Sequence, residues 1–159
     1  MNPSIDYPGN SKLLAPTAFR FVLNRELRHA MRANGCLSLL VIETTRDVGG
    51  TQVSADERTM HEIAELLNNE MRDRDLLGFT DAGTLALVLR STDYERSIRV
   101  VDRLAAKLEQ HSFSAPVHIA VGAACYPTHA MGAESLKRWA VSHPVASLRA
   151  APPSSTDQN

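Results

Sequence analysis

Several features are scarce in this sequence, and each scarcity excludes something. The longest apolar runs, such as Leu37 to Ile42, are far too short to cross a bilayer, so no membrane partner is expected. Met1 to Asn10 has no basic start followed by an apolar core and is not a secretory signal; a cytoplasmic location is expected. There are only two cysteines, Cys36 and Cys125, and the bland reading is a pair of reduced, buried thiols. No Cys-x-x-Cys or His-x-x-x-His spacing suggests zinc, so neither metal nor cofactor is expected. The six histidines are scattered, and His118, within an apolar strand, reads as a partly buried structural residue. Net charge is −1, which gives no overall pull toward a nucleic acid polymer or an acidic membrane. Any anion site must come from a local arginine cluster.

What is present is enough for one domain with a real core: 159 residues, 43% of them apolar. Residues 1–12 read as a disordered leader, 13–149 as the folded domain and 150–159 as a disordered tail. Thr17 to Asn34 carries a helical apolar stripe, and Asn34-Gly35 stops it. Leu37 to Glu43 is a near-continuous apolar run, the mark of a strand buried on both faces. Arg46 to Val53 reads as a loop around Gly49-Gly50. Ser54 with Glu57, and Thr92 with Glu95, read as capping boxes opening two further helices. Between those helices, Asp75 to Thr80 and Thr84 to Arg90 form a hairpin. Pro116 to Cys125 is another strand, and a last helix runs from about Gly132 to Val141, with Pro144 discouraging its continuation. The order α-β-α-β-β-α-β-α predicts an α/β fold, a mixed central sheet flanked by helices of the ferredoxin-like or polymerase-palm type.

Four segments then bear a resemblance to the GGDEF domain, the diguanylate cyclase family of bacterial signalling. Leu37-Ser-Leu-Leu-Val-Ile-Glu43-Thr-Thr45 resembles the family's first strand, an apolar run ending in Asp-x-Asp. Arg72-x-x-Asp75-Leu-Leu, just before a turn, resembles the inhibitory-site motif. Leu85-Ala-Leu-Val-Leu resembles the strand after the signature. Val117-His-Ile-Ala-Val-Gly-Ala-Ala-Cys-Tyr-Pro127 resembles a later strand. The match spans roughly Leu13 to Val141.

The resemblance also shows departures. Asp81-Ala82-Gly83-Thr84-Leu85 stands where the family has Gly-Gly-Asp/Glu-Glu-Phe. In the family those acids hold magnesium, a hard cation that needs oxygen ligands, and two-metal phosphoryl transfer needs carboxylates on facing strands. Here Gly83 and Thr84 replace both acids, and Glu43 offers one carboxylate on the facing strand where Thr45 offers none. The guanine-contacting stretch after strand one is missing, and Ser-His-Pro-Val replaces the late Lys-rich segment. No catalytic residue is therefore expected, and the chain reads as a pseudo-diguanylate cyclase.

The inhibitory site implied by the resemblance is retained. Arg72 and Asp75 match its motif, and Arg103 falls where many members carry a third residue. The implied ligand is cyclic di-GMP: an arginine fork can bond guanine O6 and N7 or a phosphate, and an aspartate can accept from the guanine N1 and N2 hydrogens. Read without the family frame, Arg72 and Asp75 are a solvated helix end with overlapping surface ion pairs, and Arg103 is an exposed helix arginine. The resemblance further implies regulation of an unidentified bacterial protein partner and allows a homodimer bridged by stacked ligand; the alternative is a ligand-independent interaction scaffold. Asp81 reads as turn chemistry. Trp139 reads as core packing, or as an exposed anchor for a partner.

Overall fold

The computed structural model describes residues 4–6 and 12–150, with only the backbone path for residues 4–6 and 12. Eight strands form one sheet: β1 Ser4–Asp6, β2 Lys12–Leu14, β3 Leu37–Val48, β4 Thr51–Ser54, β5 Leu76–Asp81, β6 Thr84–Arg90, β7 Val117–Tyr126 and β8 Pro144–Ala150. Four helices connect them: α1 Pro16–Arg32, α2 Glu57–Glu70, α3 Tyr94–Gln110 and α4 Ala133–Ser142. The spatial order is β1-β2-β5-β6-β3-β7-β8, with β4 pairing only β3. β2 and β5 run parallel, and every other pair is antiparallel. This is the expected α/β architecture, a mixed sheet between helices.

The sheet is buried on both faces, and the pleat sorts its side chains. Leu40, Ile42, Leu85, Leu87 and Ile119 point to one layer, where Ile63 and Leu67 of α2 and Val101 and Leu104 of α3 meet them. Leu39, Val41, Ala86 and Val88 point to the other, against Phe19, Leu23 and Leu27 of α1 and Leu136 of α4. A one-residue alternation between two apolar faces produces the continuous apolar run seen in β3 and β6. α4 lies unusually close: a Cβ on Gly122 of β7 would sit 1.9 Å from the Ala140 carbonyl oxygen.

α1 ends as expected. Asn34 adopts φ 51°, and Gly35 N–H donates to the Ala30 carbonyl at 2.8 Å. Other boundaries differ from the sequence reading. The expected loop 46–53 is a hairpin: Thr45 pairs Ser54 and Arg46 pairs Val53 around Gly49 and Gly50, both at positive φ. The caps fall elsewhere. Asp56, not Ser54, caps α2 by accepting from Thr59 N–H at 2.9 Å, and Asp93, not Thr92, caps α3 by accepting from Arg96 N–H at 2.9 Å. Aspartate is as good a cap as serine or threonine, and in each case the residue nearer the helix took the role. Pro144 does stop α4, but β8 then adds an edge strand along β7 that runs to Ala150. Proline is tolerated there because it opens an edge strand. Most of the expected leader and tail lies outside the described residues; within it, Ser4–Asp6 pairs antiparallel with Lys12–Leu14.

Candidate functional site

The hairpin of β5 and β6 turns through Asp81-Ala82-Gly83-Thr84. Gly83 sits at φ +70°, and a Cβ there would meet the Thr44 carbonyl oxygen and the Ser54 Cβ, each at 2.9 Å. Its own carbonyl accepts from Thr44 N–H at 2.8 Å, so the turn is seated directly on β3. Glycine is required here both for the backbone angle and for the close approach. Next to it, Thr84 is in register with Glu43 across β6 and β3. Glu43 is half-buried and has no ion-pair or hydrogen-bond partner among the described residues. Thr45 hydrogen-bonds Gln52 at 2.6 Å and is thereby committed to the β3–β4 hairpin.

Two clefts flank the turn. One, of about 330 Å³, is largely apolar and lies between the turn and the start of α2, against Ala55, Met60 and Phe79, with Glu57 and Asp81 as its carboxylates. Glu57 was assigned by sequence to a capping box and not to a cleft. The other, of about 250 Å³, opens toward α1 and α4 and is lined by Arg20, Thr80, Asp81, Glu134 and Lys137. There the Asp81 carboxylate forms an ion pair with Lys137 Nζ. Asp81 therefore does more than shape a turn: it fastens the hairpin tip to α4.

Arg72 and Asp75 lie on the connection from α2 to β5, in a tight turn closed by Asp75 N–H donating to the Arg72 carbonyl at 3.0 Å. The helix ends earlier, at Glu70, so the pair faces itself across a turn rather than along a helix end. Asp75 is buried, and its oxygens are occupied by Arg72. The backbone N–H of Arg72 donates to Oδ2 at 3.0 Å, Nε to Oδ2 at 3.4 Å and Nη2 to Oδ1 at 3.3 Å. Arg72 Nη2 also donates to Thr92 Oγ1 at 3.1 Å, while Thr92 donates to the Arg90 carbonyl at 2.8 Å. Half of the Arg72 side-chain surface remains open, against 4% for Asp75.

Arg103, on α3, does not touch this pair. Its Nε lies 3.2 Å from Glu70 Oε1, and its Nη2 donates to the Glu70 carbonyl at 3.4 Å. It binds the last residue of α2, two positions before Arg72, and half of its side chain is exposed. The three sequence-predicted residues thus gather at one connection, with Arg72 and Asp75 joined and Arg103 beside them. Thr92 was missed. Its hydroxyl anchors Arg72, but threonine ahead of a helix carries the same sequence signal as a cap.

The remaining expectations fall elsewhere. His118 Nε2 pairs with Ser147 Oγ at 2.9 Å, tying β7 to β8. Cys125 is buried and Cys36 half-buried, both as free thiols; burial is the first cause that pushes the Cys36 thiol up, followed by the nearby Cys125. Trp139 is half-buried, stacked between His129 at 3.8 Å and His143 at 4.0 Å. Tyr94 meets both Trp139 and His129 edge-on. No helix among the described residues is long and apolar enough to cross a membrane.

No protein-family model matches the sequence, and no curated protein matches it. Solved structures do share the architecture. The GGDEF domain of TpbB (YfiN) from Pseudomonas aeruginosa aligns with a TM-score of 0.67 at 23% identity, covering 82% of this chain and 81% of that one. The GGDEF domain of DgcB from Caulobacter crescentus, in complex with c-di-GMP, aligns with a TM-score of 0.69 at 12% identity, covering 89% of this chain and 85% of that one. The diguanylate cyclase SiaD from Pseudomonas aeruginosa, in complex with its activator SiaC, aligns with a TM-score of 0.69 at 20% identity, covering 88% of this chain and 56% of that one. Strand order, hairpin and helical layers together make this chain a domain with the GGDEF fold.

Proposed function

We propose that this domain is a catalytically inactive member of its fold class that acts as a cyclic di-GMP receptor through Arg72, Asp75 and Arg103, regulating a bacterial signalling or biosynthetic partner. The observation that supports this most is the α2–β5 connection. Two half-exposed guanidinium groups stand there held through their Nε and Nη2 atoms, one by Asp75 and Thr92, the other by Glu70, each with its Nη1 uncommitted. A fixed arginine fork loses little freedom when it bonds a guanine edge or a phosphate. Asp75, buried behind Arg72, holds that arginine from the protein side and leaves its open half to a ligand. The fold supplies a precedent, since DgcB was solved with c-di-GMP. The hairpin supports inactivity: Gly83 and Thr84 bring no carboxylate toward Glu43.

Calorimetry with cyclic di-GMP tests the reading. Wild type binds, and Arg72→Ala and Arg103→Ala each weaken binding about ten-fold or more, the loss of one charge-assisted bond pair. Wild type that binds nothing up to high-micromolar ligand ends the proposal.

A second reading has its own support. Arg72 is already satisfied by Asp75 and Thr92, as a structural residue would be. On that reading the domain is a ligand-independent protein–protein scaffold, and SiaD with its activator SiaC illustrates a protein partner on this fold. Partner binding that survives loss of both Arg72 and Asp75 favours it.

A further inference from the structure

The two helical layers differ in charge. α1 and α4, on one side of the sheet, carry Arg20, Arg25, Arg28, Arg32, Lys137 and Arg138 against only Glu26 and Glu134. α2 and α3, on the other side, have acidic residues in slight excess: Glu57, Glu62, Glu65, Glu70, Glu95, Asp102 and Glu109 against Arg58, Arg96, Arg99, Arg103 and Lys107. A whole-chain charge of −1 conceals this segregation.

Within the basic layer, α1 is the exposed ridge. Its inner face, Ala18, Phe19, Leu23, Glu26 and Leu27, is buried against the sheet. Its outer face presents Phe21, Arg25, Arg28 and Arg32 at steps of four, three and four residues, one stripe on a helix. Arg20 and Met31 flank that stripe. All four arginines are exposed, and so are Phe21 at 63% and Met31 at 43%, unusual for side chains of that size. The one acid of the helix offers no counter-charge to solvent: Glu26 is buried and its Oε2 accepts from Arg90 Nη2 at 2.8 Å. Arg25 approaches the same oxygen only at 3.9 Å and remains half exposed.

We infer that this outer face of α1 is a docking surface for an anionic phospholipid bilayer. Positive charge attracts the headgroup layer, and isolated apolar side chains insert between headgroups. The spacing favours a bilayer over an acidic protein. Phe21 and Met31 stand about 15 Å apart along the helix axis, at 1.5 Å per residue, with arginines between them. A protein partner gains most from a contiguous, desolvated anchor cluster; a soft, flat, anionic layer accepts separated anchors on a convex ridge. The inference is independent of the nucleotide reading, because Arg72, Asp75 and Arg103 lie on the connection and helix of the opposite layer.

Flotation with lipid vesicles tests it, using phosphatidylcholine alone and phosphatidylcholine mixed with anionic phosphatidylglycerol. Full-length protein should float only with the anionic vesicles and be released at high salt, where charges are screened. Each arginine near the surface is worth about five-fold in affinity. Arg25→Glu with Arg28→Glu should therefore lower partitioning by about twenty-five-fold or more. Phe21→Ser with Met31→Ser should lower it several-fold. Both pairs are exposed, so circular dichroism should be unchanged. Arg58→Glu, on α2, should bind like wild type. Binding to neither vesicle, equal binding to both, or full binding by the Arg25/Arg28 variant overturns the inference. Calorimetry on that variant keeps the nucleotide question separate, since its cyclic di-GMP affinity should match wild type.

Discussion

Glu43 on β3 stands in register with Thr84 on β6, one residue past the hairpin turn, where a second carboxylate would be needed to share a divalent cation. A neutral threonine hydroxyl can offer an oxygen, but not the second negative charge that paired carboxylates bring to a two-metal phosphoryl-transfer site. Incubation with GTP and magnesium or manganese should therefore give no cyclic dinucleotide by chromatography. Product that disappears in Glu43→Ala would show that the chain is an enzyme after all.

The Arg72–Asp75 clasp predicts unequal effects on stability. Asp75→Ala leaves a covered Arg72 N–H and a guanidinium without their acceptor, so it should cost about 1–3 kcal/mol in urea unfolding. Arg72→Ala leaves the Asp75 carboxylate, only 4% exposed, without its cation and with a single backbone N–H as donor, so it should cost more, about 3 kcal/mol. A cost for Arg72→Ala below that of Asp75→Ala would contradict the burial assigned to Asp75.

Gly122 predicts a packing effect. Its added Cβ would fall 1.9 Å from the Ala140 carbonyl oxygen, a rigid backbone atom, so Gly122→Ala must push α4 away from β7. Overpacking typically costs about 1–3 kcal/mol, and the upper end is expected here. Gly35→Ala is the matched comparison, because its Cβ meets nothing nearer than the Ala30 oxygen at 3.9 Å. A small loss at Gly122 would mean that α4 is seated less tightly.

His129 gives a pH dependence. Burial first, and then the neighbouring His143, hold its imidazole below the ordinary value of 6.5. The unfolded chain thus binds a proton that the folded chain refuses. This contribution to stability is fully present above pH 6.5 and is lost as pH falls through the lower folded value. Trp139, the single tryptophan, stacks on that ring and reports it. Its fluorescence should change in a step below pH 6.5 that His129→Gln shifts or removes. An identical titration in His129→Gln would assign the step to other groups.

The two halves of the candidate site were unequally legible. Arg72 and Asp75 could be paired from a spacing of three, because contacts that close in sequence leave the chain few alternatives. Arg103's real partner, Glu70, lies 33 positions away, and Thr92 meets Arg72 across 20. Neither distance leaves a periodic trace. Asp81 looked like turn chemistry until α4 brought Lys137 to it across 56 residues.

The sequence alone determined the helices and the central strands, because apolar periodicity is a local property of the chain: β6, α1 and α3 could be placed from it within a few residues, and β3 at its start. It also determined which carboxylates are missing from the hairpin. Only the tertiary structure decided which aspartates cap α2 and α3, that residues 46–53 pair back on β3, that β8 joins the sheet edge, and that positive charge collects on one helical layer. Each of those depends on where distant backbone and side chains meet, and free energies of a single hydrogen bond or ion pair choose among alternatives that look alike along the chain.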